Sequence, residues 1–281
     1  MLTRFCVILC LAAVSLPAQA PVFFIQGSDP QFGMYAKDKN FVQETANFEF
    51  FIASVNRLKP AFAIVCGDLT NLAGNADEIA EYHRIAKKLD PAVKLYNVAG
   101  NHDVGNQPTP ESLALYRKNY GPDWYSFEAP GLYGIVLNSS VIKYPAKVED
   151  EAAKQEAWLR TELGKAKQSG RIVVIFQHIP WFLTSPDDPD DYFNITLATR
   201  ARYLKLLQDS GVRYTFAGHY HRNALASADQ LSMITTGPIG MPIGPDPSGF
   251  RIVTIHGNEL KQQYVGLGTI PNRYPPPPPE K

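Results

Sequence analysis

Residues 62–68 read Phe62-Ala63-Ile64-Val65-Cys66-Gly67-Asp68: five apolar residues without alternation, then a glycine, then a carboxylate. A short continuous apolar run bounded by turn signals suits a strand buried on both faces, as in a largely parallel sheet covered by helices. The phrase recurs along the chain. Val22-Phe23-Phe24-Ile25 runs into Gly27-Ser28-Asp29-Pro30-Gln31, and Lys94 to Val98 leads to Gly100-Asn101-His102-Asp103. Ile172 to Phe176 leads to Gln177-His178, and residues 212–217 lead to Gly218-His219-Tyr220-His221.

Between these runs the pattern turns helical, so the expected class is α/β. Asn40 is placed to cap a helix whose Phe41, Phe48, Phe51, Ile52, Val55 and Leu58 share one face, with Gln43 three residues after the cap and Pro60 as its stop. Further helices are expected at 76–89, 110–120, 149–168 and 199–209. Strands are expected at 231–236, 250–256 and 260–267, giving an antiparallel end to the sheet.

Carboxyl ends of strands in α/β sheets face a common crevice, so donors spread from Asp29 to His221 are expected to meet in space. Carboxylates, imidazoles and amides are oxygen and nitrogen donors suited to transition metals, and thiolates are absent from the set, which excludes a cysteine-type structural zinc site. The glycines ahead of each donor (Gly27, Gly67, Gly100, Gly218) let the backbone turn and approach closely. Pro30 biases Asp29 towards an extended conformation.

The ordered motifs Asp29-x-Gln31, Gly67-Asp68, Gly100-Asn101-His102-Asp103, His178 and Gly218-His219-Tyr220-His221 resemble those of the calcineurin-like metallophosphoesterases. A nearer similarity, to the calcineurin-like phosphoesterase domain-containing proteins, shows in Asp29-Pro30-Gln31-Phe32-Gly33, in Asn101 to Asn106, in Gln177-His178-Ile179-Pro180 and in Gly218 to Asn223. The resemblance implies a four-layer α/β/β/α sandwich of two mixed sheets. It also implies two metal ions at the strand ends, with manganese, iron or magnesium favoured over zinc. One ion falls to Asp29, Gln31 and His221, the other to Asn101, His178 and His219, and Asp68 bridges both. The implied reaction is hydrolysis of phosphate monoesters, possible targets including phosphoserine and phosphothreonine in proteins, by a hydroxide held between the ions. His102 is implied as general acid and Asp103 as the group orienting it. The broader family carries an imidazole where Gln31 stands, and an amide oxygen is the weaker, harder donor, so this ion is expected to be held loosely. A phosphodiesterase and a non-catalytic phosphate-ester or metal-binding protein are the competing readings.

The 281 residues are 45% hydrophobic and 19% charged, enough to bury a sizeable core. Lys+Arg and Asp+Glu are 27 each, so no net field recruits nucleic acid or anionic lipid, and no nucleic-acid binding is expected. Arg4, the apolar run 5–14 and Ala18-Gln19-Ala20 read as a signal peptide over 1–20, which implies export, with an earlier cut after Ser15 also compatible. No transmembrane segment is expected once it is removed. Residues 21–271 would then form the phosphoesterase domain, and 272–281, with five consecutive prolines from Pro275, a polyproline tail. His83 and His256 are expected at the surface, and Cys66 as a buried, inert thiol. Asp187, Asp188, Asp190 and Asp191 form an acidic loop, read as solvated or as a selector of basic substrate flanks. Trp181, Phe182, Tyr192 and Phe193 are candidates for an apolar wall or ordinary packing, and Asn106, Arg222 and Asn223 for phosphate contacts.

Overall fold

The computed structural model describes residues 22–274; the expected signal segment and the prolines 275–279 lie outside the described residues. In chain order the elements are β1 (Val22–Gly27), α1 (Val42–Leu58), β2 (Phe62–Cys66), α2 (Ala76–Ala86), β3 (Lys94–Val98), α3 (Asn101–Val104) and α4 (Pro110–Tyr120). There follow β4 (Tyr125–Ala129), β5 (Leu132–Val136), α5 (Ser139–Lys143), α6 (Glu149–Gln168), β6 (Ile172–Phe176), α7 (Leu197–Asp209) and β7 (Tyr214–Ala217). The chain ends in β8 (Ala224–Ala228), β9 (Leu231–Thr235), β10 (Gly249–His256) and β11 (Glu259–Gly266).

Two mixed sheets result, ordered β11-β10-β1-β2-β3 and β4-β5-β6-β7-β9-β8. Three apolar clusters fill the spaces between four layers. Phe48, Phe51, Ile52, Tyr82, Ile85 and Leu113 seat α1, α2 and α4 on the first sheet. Leu159, Leu163, Tyr203, Leu204 and Leu207 seat α6 and α7 on the second. Phe24, Phe62, Ile64, Val174, Phe176 and Phe216 close the two sheets on each other, with Phe24 stacked on Phe62 at 4.7 Å. The uninterrupted apolar runs follow from this: β2, β5 and β6 are buried at every position because both faces are covered.

Some expectations are corrected. The strand expected at 231–236 does not join those at 250–267: β9 lies parallel to β7 in the second sheet, while β10 returns to pair antiparallel with β1 in the first. The helix expected from Asn40 begins at Val42. Asn40 Oδ1 accepts the Val42 amide at 3.3 Å, and Gln43 bonds Asn47 instead of closing a capping box. α2 stops at Ala86, short of 89, and α7 starts at Leu197, where Asp190 Oδ1 accepts the first amide. His83 is half-buried, stacked 5.3 Å from the Tyr120 ring, which burial makes harder to protonate; His256 is exposed. Among the described residues no helix is long and apolar enough to cross a membrane.

Candidate dimetal site

The carboxyl ends of β1, β2, β6 and β7 and the start of α3 bring six of the seven expected ligands, Asp29, Asp68, Asn101, His178, His219 and His221, to one place, and Gln31 lies two residues beyond Asp29. Asp68, His178 and His219 present ligand atoms within 4.8 Å of one another, and so do Asp29, Asp68 and His221. Asp68 belongs to both groups, the position a bridging carboxylate needs. All seven residues are buried.

The backbone is strained to achieve this. Among the described residues, nine non-glycine residues have positive φ, and five of them are Asp29, Gln31, Asp68, His219 and His221, with φ between 41° and 69°. A non-glycine side chain in this region costs of order 1–3 kcal/mol and persists where its surroundings over-determine it. Pro30 therefore does not hold Asp29 extended: φ at Asp29 is 50°. Gly100 is dictated by proximity, since a Cβ there would lie 2.1 Å from the Asp68 amide nitrogen. Gly67 has φ 85°, and a Cβ there would meet the His178 ring at 2.4 Å.

Hydrogen-bond chemistry fixes which atoms face inward. His178 Nδ1 lies 2.8 Å from the Cys66 carbonyl, which only accepts, so that nitrogen carries the proton and Nε2 presents its lone pair. His219 Nε2 donates to the Tyr192 carbonyl at 3.0 Å, which leaves Nδ1 as its lone pair. His178 Nε2 then faces His219 Nδ1 at 3.1 Å, Asn101 Oδ1 at 3.0 Å and Asp68 Oδ2 at 3.1 Å. A single proton on His178 satisfies at most one of these acceptors. Four convergent electron-pair donors are what a cation requires. At the other locus His221 Nδ1 donates to the Met241 carbonyl at 2.6 Å, so Nε2 faces Asp29 Oδ1 at 3.4 Å. Gln31 Nε2 donates to Asn71 Oδ1 at 3.0 Å, and Gln31 Oε1 is buried with no hydrogen-bond partner. An orphaned, buried amide oxygen two residues after Asp29 fits a metal ligand.

The electrostatics agree. Burial opposes ionisation of Asp68, but His178, His102 and His219 outweigh it and hold the carboxyl below the usual range. Burial also opposes charge on His178, yet Asp68 and Asp29 push it up to about 9. His219 is pushed down to about 3 by burial and by His178. His221 is raised, Asp29 outweighing burial. Without a cation the carboxylates of Asp68 and Asp29 hold a proton on His178; a bound cation would take that proton's place and free Nε2 as a lone pair.

Asp103 does not orient His102. Its Oδ1 accepts the amides of Leu69 and Thr70 at 2.9 and 3.1 Å, and its Oδ2 accepts the Gly100 amide at 2.8 Å, so it ties the loop after β2 to the loop after β3. Burial and the nearby Asp68 push it up to about 7 against those donors. His102 is instead held by the Asn71 carbonyl, 2.7 Å from Nδ1, leaving Nε2 free on a half-buried ring. Asn71 thus aligns both His102 and Gln31. The available signal was its place three residues after Asp68 in Gly67-Asp68-Leu69-Thr70-Asn71.

Asn106 supports the site: its Oδ1 accepts Asn101 Nδ2 at 2.9 Å, turning Asn101 Oδ1 inward. Asn223 Oδ1 accepts from Arg251 and the Gly237 amide, and the Arg222 guanidinium lies 5.2 Å from the Tyr220 ring. Trp181 and Phe182 are core; Tyr192 and Phe193 pack 4.8 and 5.6 Å from the His219 ring. The acidic loop spends its carboxylates on itself: Asp188 accepts three successive amides, Asp190 caps α7 and Asp191 accepts the Phe193 amide. Cys66 is buried, and burial pushes its thiol well above the usual range.

Residues 27–223 match the calcineurin-like phosphoesterase family. Serine/threonine-protein phosphatase CPPED1 of Bos taurus is 34% identical over 268 residues, covering 90% of this chain and 86% of that protein. Among solved structures, a dimetal phosphatase from Danio rerio superposes with a TM-score of 0.62 at 16% identity, covering 89% of this chain and 97% of the other. GAP50, the anchor in the inner membrane complex of Plasmodium, superposes with a TM-score of 0.64 at 15% identity, covering 89% and 85%. These two likenesses speak to the fold. The match across 27–223 and the CPPED1 identity over most of both chains show that the protein belongs to the calcineurin-like phosphoesterase family and is a metal-dependent hydrolase of phosphoester bonds.

Proposed function

We propose that this chain hydrolyses phosphate monoesters, with phosphoserine and phosphothreonine side chains as the substrate class, at a centre loaded with manganese, iron or magnesium. The observation that carries the dimetal reading is the set of lone pairs facing one another around His178 Nε2. Asp29, Gln31 and His221 would hold one ion, Asn101, His178 and His219 the other, and Asp68 both. Bound there, the pair would supply Lewis-acid charge to phosphate oxygens and acidify a coordinated water. The chain's own part is to aim these donors, to bury them from bulk water and to place His102 Nε2 where a proton can pass to the leaving oxygen, worth about 10²–10⁴-fold.

Amide oxygens from Gln31 and Asn101 favour harder cations over zinc. The name of the CPPED1 relatives supports the phosphoprotein class. In the acidic loop Asp188, Asp190 and Asp191 are engaged in turn and cap bonds, which gives three of its four carboxylates a structural role. The 1–20 segment supports export.

The test compares para-nitrophenyl phosphate, its bis-ester and phosphoserine peptides under manganese, magnesium and zinc. Monoester turnover that chelation abolishes and manganese restores is expected. Bis-ester turnover exceeding that of the monoester, or two zinc ions that survive dialysis, overturns the corresponding half of the proposal.

A further inference from the structure

Tyr192 lies outside the ligand motifs, on the strap 183–196 between β6 and α7, yet it touches the Asn101/His178/His219 locus in three ways. Its carbonyl accepts His219 Nε2–H at 3.0 Å, its hydroxyl accepts Asn101 Nδ2 at 3.1 Å, and its ring packs 4.8 Å from the His219 ring. The first contact leaves His219 Nδ1 as the lone-pair nitrogen. The second, together with Asn106, turns the Asn101 amide so that Oδ1 points inward. One residue thereby sets the facing atoms of two of the three ligands peculiar to this locus.

The strap is itself clamped. Lys143, buried at the end of α5, donates from Nζ to the carbonyls of Asp191 and Tyr192 at 2.9 and 2.6 Å. The Tyr192 carbonyl therefore receives both the ammonium and the imidazole of a candidate ligand. Arg200 donates to the Asp188 carbonyl, and Asp188 gathers the amides of Leu183, Thr184 and Ser185. The other locus is aligned by different groups, Asn71 for Gln31 and the Met241 carbonyl for His221.

We propose that Tyr192 and Lys143 are positioning residues that set the affinity of the Asn101/His178/His219 locus for its cation, separately from the Asp29/Gln31/His221 locus. This rests on the dimetal reading above. Outer partners that orient metal ligands typically change metal affinity about 10–100-fold when removed.

The test is calorimetric titration of manganese into full-length protein. In a His221→Ala background, which isolates the locus in question, Tyr192→Phe is expected to weaken binding about tenfold, because the ring and carbonyl stay and only the hydroxyl is lost. Lys143→Met is expected to weaken it at least as much, and Lys143→Arg to recover most of the loss. In a His219→Ala background, which isolates the other locus, Tyr192→Phe is expected to change nothing. Melting of the metal-free Tyr192→Phe variant, altered at a partly exposed residue, is expected to match its parent. Unchanged affinity in both Tyr192→Phe and Lys143→Met, or equal weakening at both loci, overturns the proposal while leaving the dimetal reading intact. Parent protein that takes up no second ion overturns both.

Discussion

Replacing Asp103 with asparagine separates two accounts of the Gly100-Asn101-His102-Asp103 loop. If Asp103 served His102, the variant would behave as a weak copy of His102→Ala. The structure gives it other work: it accepts three backbone amides and the Thr70 hydroxyl at 3.4 Å, while the His102 ring bonds the Asn71 carbonyl. An asparagine keeps one oxygen for Leu69 and Thr70 and must turn its NH₂ against the Gly100 N–H. Burial and Asp68 already oppose the charge on Asp103, so the bond lost is worth about 0.5–1.5 kcal/mol and the stranded buried amide about 1–3 kcal/mol, and a net destabilisation of roughly 2 kcal/mol is expected because the two losses overlap. At roughly 2–4 °C per kcal/mol for a chain of this size, the metal-free protein should melt about 4–8 °C lower by scanning calorimetry. In a double-mutant cycle the kcat losses of Asp103→Asn and His102→Ala should multiply. A variant that melts like the parent, or a double variant no slower than His102→Ala alone, would refute the reasoning.

Gln31→Ala should raise the manganese concentration giving half-maximal activity while leaving turnover at saturating manganese far less affected; a metal titration checks it, and an unchanged midpoint contradicts it. Gly100→Ala places a methyl 2.1 Å from the Asp68 amide nitrogen, where no side chain can yield, so the expected loss exceeds the ~1–3 kcal/mol of ordinary overpacking and is read from soluble yield and melting. Burial lowers Lys143 to about 8 against the opposing charges of Asp191 and Asp190. Between about pH 8 and its ordinary value near 10.5 the unfolded chain then binds more protons than the folded one, so stability to urea should rise with pH relative to Lys143→Met; a flat difference contradicts this.

Where an uninterrupted apolar run is covered on both faces, its sequence announces it: the runs read at 62–66 and 172–176 are β2 and β6 to the residue, and the half-exposed edge strand β3 also falls at the residues read for it, 94–98. β5 is buried throughout as well, but Gly134 interrupts its apolar run, and β4 is half-exposed, so this hairpin carries no such signal. β5 reads Leu-Tyr-Gly-Ile-Val, and its Gly134 sits opposite Phe127 because the ring fills the space a side chain would take. β8, Ala-Leu-Ala-Ser-Ala, is a half-exposed edge strand held by its pairing with β9 and not by its composition. Which sheet a late strand joins is a property of the closed sandwich, which is why β9 and β10 part company unannounced. At the site the donors with side-chain chemistry were legible from the strand-end motifs. The groups that aim them were not, because they act through backbone carbonyls: Asn71 for His102, Tyr192 for His219, Met241 for His221. A carbonyl is common to every residue, so only coordinates reveal it. Asp103 shows the converse, a motif carboxylate whose neighbour in sequence is not its partner in space.

The most direct test is anomalous diffraction at the manganese edge from crystals of the protein grown with manganese. The account predicts two peaks about 3.5–4 Å apart with an Asp68 carboxylate oxygen shared between them. A single peak, or two peaks that Asp68 does not join, would contradict it.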